Sequence, residues 1–227
     1  HLNNPIGVDF TASCLFWNCE GGKKQTAYQI IAENDTGTIL WDSGKMKSSS
    51  MRAQWGGKPV PPKTKVLWKV RLWDEADAVG DWAEAFFETG MDAWKAKWVT
   101  GNYRVNKKER YPVDCFRKTF NSSGIQKARL YITACGLYEA KLNGQRIGDF
   151  ILAPGITDYR KRVQYQTYDV TKLLQSGENA LTVQLADGWY RGSTGAWGLK
   201  NQYGTETKLL AQLELMHIDG SVQTIIT

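Results

Sequence analysis

Residues 66–73 read Val-Leu-Trp-Lys-Val-Arg-Leu-Trp, and apolar and polar side chains alternate along most of the stretch. The apolar side chains at positions 66, 68, 70 and 72 share one face, whereas Lys69 and Arg71 point to the other. A period of two is that of an extended chain with one buried face. The stretch therefore predicts a half-buried β-strand.

Runs of the same kind recur on both sides of this strand. They occupy residues 26–32, 38–41, 83–88, 116–120, 128–134, 138–142, 163–170, 181–185, 209–218 and 222–226. Asn143-Gly144 directly follows one such run and Asp219-Gly220 lies between two, and both dipeptides predict tight hairpins. Residues 169–174, followed by Gly177, predict one short helix. Strands at this spacing, with almost no helical periodicity, predict an all-β chain of two β-sandwiches in tandem.

The strand-like runs stop before Gly90 and return only after residue 111. This break predicts a first domain over residues 1–90 and a second over 111–227. Trp94 and Trp98 lie four residues apart, so residues 91–110 are interpreted as a connector whose tryptophans share one side of a helical turn. In the first domain the tryptophans at 17, 41, 68, 73 and 82 are expected to fill the sandwich core. The last predicted strand runs to Thr227, and we expect strands beyond it to complete the second sandwich.

Composition excludes several classes of protein. The chain has 227 residues, a net charge of +6 and 42% hydrophobic residues, which is typical of a globular protein. Its apolar runs are far shorter than the ~20 residues that span a bilayer, so no membrane partner is expected. The basic residues are scattered, with short clusters at 107–110 and 160–162, so no nucleic-acid partner is expected either.

The cysteines and the amino terminus bear on localisation. Cys14, Cys19, Cys115 and Cys135 have no metal-binding spacing and are interpreted as small buried hydrophobes, with a Cys14–Cys19 bridge as the alternative. Residues 1–5 have neither the basic nor the apolar region of a signal peptide. We therefore expect a cytoplasmic protein, with secretion as the alternative.

The sequence offers little catalytic chemistry. Its two histidines are the terminal His1 and His217, which lies in a predicted strand, so Ser-His-Asp and Cys-His catalysis and histidine metal sites are excluded. The aspartates stand beside turn and cap signals, where they serve local hydrogen bonds. No catalytic residue, metal site or cofactor is assigned.

Two loops stand out as candidate binding or docking sites. Residues 187–192 read Asp-Gly-Trp-Tyr-Arg-Gly, with Trp197 shortly after, and residues 152–160 form a second rigid turn with polar and aromatic tips. Such loops either pack against another domain or contact a sugar, whose ring stacks on an aromatic face while charged groups bind its hydroxyls. The candidate residues are Asp187, Trp189, Tyr190, Arg191, Trp197, Asp158 and Tyr159.

A series of motifs in the second half of the chain carries a family resemblance. They are residues 129–134, 136–140, 142–144, 152–155, 157–159, 163–171, 177–180 and 187–192. Together they resemble the amino-terminal jelly-roll-like sandwich of bacterial α-L-rhamnosidases. Upstream, residues 4–8, 25–30, 40–44 and 68–74 resemble the immunoglobulin-like or fibronectin-type-III-like domain that precedes it.

The resemblance implies an enzyme that removes terminal α-L-rhamnose from glycosides with inversion. In that family the general acid and base are carboxylates on a helical (α/α) barrel that follows the β-domains. The sequence has no such helical region, so no catalytic residue is carried over and the chain by itself is expected to be inactive. Some related sandwiches bind L-rhamnose with calcium, but no calcium ligands are matched here.

Three functions are consistent with these observations. The first is an accessory region of an α-L-rhamnosidase, with its own downstream catalytic domain and rhamnose-containing glycosides as partners. The second is a self-sufficient carbohydrate-binding module for L-rhamnose. The third is a structural or protein-binding tandem of sandwiches.

Overall fold

The computed structural model describes residues 2–10, 13–21, 24–106, 108–195 and 197–227. These described residues divide after Asp92 into two compact units, residues 1–92 and 93–227, each with its own hydrophobic core. Almost every regular element is a β-strand, which confirms the predicted all-β class. Among the described residues, no helix has the length and apolar character needed to cross a bilayer.

The first unit is built from short and medium strands. In its described part they are β1 (Ile6–Val8), β2 (Cys14–Phe16), β3 (Ala27–Asn34), β4 (Ile39–Asp42), β5 (Met46–Lys47), β6 (Arg52–Gln54), β7 (Lys65–Trp73) and β8 (Ala83–Thr89). The main sheet has the order β1-β8-β7-β3-β4, with β5 also paired to β3, and a smaller sheet joins β2 to β6. All pairs are antiparallel except β1 with β8.

The core of the first unit lies between these two sheets. Val66 and Val70 on β7 are buried there together with Ile30 on β3, and Leu15 on β2 closes the core from the smaller sheet. Val66 and Val70, on the apolar face of residues 66–73, thus point into the core as predicted. A buried aromatic, Trp17, donates an indole hydrogen bond of 2.9 Å to Gln25 Oε1.

Two of the five tryptophans expected in this core lie elsewhere, so that prediction is wrong for Trp73 and Trp82. Both stand on the outer face of the sheet beside cations. The Arg71 guanidinium lies 5.1 Å from the Trp73 ring and 4.6 Å from the Trp82 ring, and Lys45 lies 4.8 Å from Trp73. Cation–π contact makes an exposed indole face a favourable neighbour for these charges.

The second unit has longer strands. Its described strands are β9 (Asp114–Ser122), β10 (Ile125–Cys135), β11 (Leu137–Leu142), β12 (Gln145–Arg146), β13 (Gln166–Asp169), β14 (Gly177–Ala186), β15 (Lys208–His217) and β16 (Val222–Ile226). A 3₁₀ turn spans Thr171–Leu173, and a single α-helical turn, α1, spans Gly188–Arg191.

These strands form two facing antiparallel sheets, in the orders β13-β10-β15-β16 and β12-β11-β14-β9. Leu130 and Ile132 on β10 and Leu213 on β15 are buried against Leu142 on β11 and Leu185 on β14. This is the second predicted sandwich. The turns at Asn143-Gly144 and Asp219-Gly220 join β11 to β12 and β15 to β16, as predicted.

The segment at residues 91–98 departs from expectation, because the structure has no helix there and the predicted helical turn is wrong. The segment has no regular secondary structure, and Val99 after it pairs with Leu209 on β15. The backbone N–H groups of Lys95 and Ala96 donate to the buried Gln212 side-chain oxygen at 2.7 and 3.3 Å. Hydrogen bonds to β15 therefore determine the backbone conformation of this segment, although the spacing of its tryptophans favours a helical turn.

The cysteines also differ from expectation. All four thiols are free, so the Cys14–Cys19 bridge is not formed. Cys135 is buried as predicted, whereas Cys115 is exposed on the edge strand β9 and the other two are partly exposed. Cys115 is on the outer face of β9, because successive side chains of a strand point to opposite faces and its neighbours Asp114 and Phe116 are the half-buried ones.

A buried amide connects the elements at one end of the second sandwich. Asn179 is 1% exposed, and its side chain donates to Ser122 Oγ at 3.0 Å and to the carbonyl oxygens of Gln175 and Gly177 at 2.8 and 2.9 Å. Its oxygen accepts a 2.8 Å hydrogen bond from the Asn143 side chain. It thus satisfies polar groups of three neighbouring segments from one buried position.

We predict that Asn179→Ala lowers the free energy of unfolding by about 2 kcal/mol, because it removes the side-chain hydrogen bonds of a buried amide with Ser122, Asn143 and Gln175. Urea unfolding followed by circular dichroism measures the change. The matched control is Gln184→Ala, an exposed position on the same strand, with an expected change within about 0.5 kcal/mol. Equal effects of the two substitutions would contradict the role of Asn179.

Candidate functional site

The first candidate loop begins where β14 ends, at Asp187, and turns directly into α1. Gly188 has φ of +52°, and a Cβ there would lie 2.6 Å from the Leu137 side chain. Only glycine fits that conformation and that space. The glycine therefore fixes how the next three residues leave the sheet, and they form a helical turn rather than an open loop.

Arg191 is the centre of a buried polar network. Its side chain is only 6% exposed, and its Nε and Nη2 atoms lie 2.7 and 2.6 Å from Asp187 Oδ1. Nη1 donates to the Tyr103 hydroxyl at 3.1 Å, and that hydroxyl donates to Asp114 Oδ2 at 3.2 Å. Thr207 Oγ1 donates to the same carboxylate oxygen at 2.9 Å.

Electrostatics keep this guanidinium charged. Burial alone lowers the pKa of Arg191, but the hydrogen bonds with Tyr103 and Asp187 more than offset burial, and the pKa lies above its ordinary value. The Arg191–Asp187 ion pair with its Tyr103 hydrogen bond is a rigid arrangement. Breaking either contact would leave the buried Arg191 guanidinium without one of its partners.

A polar cleft of about 360 Å³ opens beside this network. Its lining residues are Val105, Asn106, Glu109, Arg110, Tyr111, Asp187, Arg191, Gly192, Ser193, Lys200 and Asn201. The Tyr111 ring stacks on Tyr103 at 4.9 Å and lies 5.3 Å from the Arg191 guanidinium. Charged groups, amides and one aromatic ring thus surround a space large enough for a small polar ligand.

A second feature is a cluster of three tyrosines, which we call the tyrosine cluster: Tyr159, Tyr190 and Tyr203. The Tyr159 ring lies 5.3 Å from Tyr190 and 5.1 Å from Tyr203, and its hydroxyl donates to the Gly155 carbonyl at 3.0 Å. Arg160 lies 5.4 Å from the Tyr203 ring. The cluster joins the two loops that the sequence singled out separately.

The other predicted site residues have different surroundings. Trp189 is half-buried on α1, whereas Trp197 is 88% exposed on a loop held by the Thr194–Leu199 bridge. Asp158 pairs with Arg160 at 3.0 Å, and this hydrogen bond lowers the Asp158 pKa. The structure therefore places Asp187 in contact with Arg191, and Tyr159 in contact with Tyr190. It does not bring all seven predicted site residues together at one site.

Sequence reasoning missed Tyr103, Tyr111 and Tyr203. They lie in irregular segments with neither strand nor helix periodicity, so no local pattern marks them. Only the fold brings them beside α1. Within the described ranges, no group of three His, Cys, Asp or Glu side chains is arranged to hold a metal ion.

Both units match families of known protein domains. Residues 123–227 match the family described as the α-L-rhamnosidase N-terminal domain, and residues 1–93 match the Rha78A-like N-terminal immunoglobulin domain. The chain is an amino-terminal region of the α-L-rhamnosidase family. This confirms both the family that the motifs resemble and the immunoglobulin-like character of the first unit.

Relatives of this rhamnosidase region are much longer proteins. An α-L-rhamnosidase from Formosa agariphila is 36% identical over the whole chain, which spans 27% of that relative's length. The solved α-L-rhamnosidase from Dictyoglumus thermophilum is 36% identical with a TM-score of 0.85, over 99% of this chain and 27% of that one. The Streptomyces avermitilis enzyme, solved in complex with L-rhamnose, is 25% identical with a TM-score of 0.82, over 100% and 39%.

The tyrosine cluster yields a prediction at alkaline pH. Burial, with Cys135 and Tyr203 nearby, raises the pKa of Tyr159 to about 12, above the ~10 of an unfolded tyrosine. Its contribution to stability is complete below pH ~10 and is lost as the pH rises through 12, because the unfolded chain releases its proton first. We predict that Tyr159→Phe makes the free energy of unfolding fall less steeply between these pH values. Urea unfolding over a pH series measures both slopes, and parallel curves would contradict the prediction.

Proposed function

We propose that the chain is the accessory, non-catalytic front part of an enzyme that hydrolyses terminal α-L-rhamnosides. The observation that carries the proposal is the alignment of the entire chain with 27% of a curated α-L-rhamnosidase, through both amino-terminal domains of that family. In this proposal the catalytic carboxylates belong to the remainder of the enzyme.

The chemistry of the cleft supports an accessory role. A glycosidase needs two carboxyl groups flanking the scissile bond, one of them free to donate a proton. Here Asp187 is held by the Arg191 guanidinium, and Glu109 Oε1 accepts a 2.7 Å hydrogen bond from the Asn106 amide. Groups engaged in this way are suited to holding a ligand or a neighbouring domain rather than to proton transfer.

The proposal predicts how activity divides between the chain and the complete enzyme. We expect the product of the complete reading frame to hydrolyse an aryl α-L-rhamnoside, and the purified 227-residue chain to release no aryl alcohol above the uncatalysed rate. A colorimetric assay of both proteins measures this. Hydrolysis by the chain alone, or none by the complete product, would overturn the proposal.

A second candidate function is binding of L-rhamnose by the second unit. Three observations favour it: the polar cleft, the exposed Trp197 on the loop that also contributes Ser193 and Lys200 to the cleft, and a relative solved with L-rhamnose. An exposed indole is a stacking surface for a sugar ring, and the Asp187–Arg191 pair offers acceptors and donors for hydroxyls.

Sugar titration tests this second function. Binding of L-rhamnose by the chain predicts a dissociation constant of about 1 mM, and Trp197→Ala should weaken it at least about tenfold through lost stacking. Because Trp197 is exposed, its loss should leave folding intact. The matched control is Trp98→Ala, an exposed tryptophan that does not line the cleft. A flat calorimetric titration at millimolar sugar would exclude this function.

A further inference from the structure

A loop between β12 and β13 presents an unusual amount of apolar surface to solvent. Residues 149–156, which we call the apolar loop, carry Phe150, Ile151, Leu152 and Ile156, and each of these side chains keeps at least half of its surface exposed. Apolar side chains concentrated in this way mark interaction surfaces, whereas single exposed ones do not.

The apolar loop is rigid rather than loosely attached. The Tyr138 N–H donates to the Ala153 carbonyl at 2.8 Å, and the Gln166 amide donates to the Pro154 carbonyl at 3.1 Å. Within the loop the Gly155 N–H donates to the Leu152 carbonyl at 2.9 Å. Ala153 and Pro154 are buried, so the middle of the loop is anchored while its flanks face outward.

The backbone of Leu152 adds an independent observation. Its φ is +60°, in the left-handed region that non-glycine residues rarely adopt. Glycine would remove the strain, but it would also remove an exposed apolar side chain. Strain kept at a surface position points to a function for that side chain.

Charges of both signs border the loop: Asp149 begins it, Arg146 lies 3.6 Å from Glu139, and Arg160 pairs with Asp158 at 3.0 Å. Arg146 lies just before it and donates to the Phe150 carbonyl at 3.5 Å, and the exposed Arg160 and Lys161 follow it. An apolar centre with a polar border of mixed charge is the usual composition of a protein–protein interface.

We propose that the apolar loop is the surface on which the remainder of the α-L-rhamnosidase packs, an inference that rests on the proposed function. The whole chain corresponds to only about a quarter of its Formosa relative, so most of that enzyme's length lies outside these two domains. The fully buried centre of an interface is more apolar than ordinary surface, and the exposed apolar side chains of the loop fit such a centre. Because the loop is already ordered, packing onto it has a small entropic cost.

The test compares substitutions in the protein encoded by the complete reading frame. Phe150→Ser together with Ile151→Ser should lower its melting temperature by about 5 °C, since apolar contact at the interface is lost. The matched control is Ile39→Ser, an equally exposed apolar side chain in the first unit, with an expected shift below about 1 °C. Hydroxyl-radical footprinting adds a direct readout, in which Phe150 and Ile151 should be protected from oxidation and Ile39 should not.

The outcomes separate the two proposals. Rhamnosidase activity without protection of Phe150 and Ile151, and with no effect of their substitution, overturns the docking surface but leaves the proposed function intact. Protection that depends on protein concentration overturns it as well, because the occupant is then a second copy of the chain. An inactive complete product overturns the proposed function itself.

Discussion

Burial of both faces of β10 is the constraint on which the second unit depends. One face carries Leu130 and Ile132 into the core between the two sheets. The other carries Tyr131, Thr133 and Cys135, which are buried as well. A shift of one residue would exchange these two sets, so the ten-residue pairing of β10 with β15 has a single workable register.

The second face of β10 is covered by irregular segments, and those segments carry the candidate site. Tyr165 covers Tyr131 at 6.4 Å and is itself contacted edge-on by Trp94. The Cys135 thiol lies beside the Tyr190 hydroxyl, so α1 is held against the same face. The cleft at Arg191 and the tyrosine cluster therefore rest on the most deeply buried strand of the unit, which gives a binding or docking surface a rigid base.

The first unit uses aromatic residues differently from the second. Its core is small, and four tryptophans contribute to it, while Trp73 and Trp82 instead line the outer face with Lys45 and Arg71. The alternation that predicts β7 already places the Trp73 side chain on the other face of the strand from Val70 and Leu72. The size and hydrophobicity of Trp73 favour the core, but its place in the alternation of the strand decides which face its side chain is on.

Local patterns were sufficient wherever hydrogen bonds between close neighbours set the conformation. The alternation in residues 66–73 and the two Gly-containing hairpins were predicted from a few adjacent residues, because period two and positive φ are local properties. The same reasoning failed at Trp94 and Trp98, whose spacing is helical. The backbone N–H groups of Lys95 and Ala96 between them donate to Gln212, more than a hundred residues away, and no helix forms.

By itself the sequence determined that the chain is an all-β tandem, where most strands run, and the family to which its ordered motifs belong. It also marked the loops around Tyr159 and Arg191 as unusual. Only the tertiary structure decided that Tyr159 meets Tyr190 and Tyr203, that Arg191 turns inward to Asp187 and Tyr103, and that residues 149–156 keep their apolar side chains outside. The contacts of Tyr159 with Tyr190 and of Arg191 with Tyr103 join segments far apart in the chain, and the energy of such contacts comes from packing that no local period encodes.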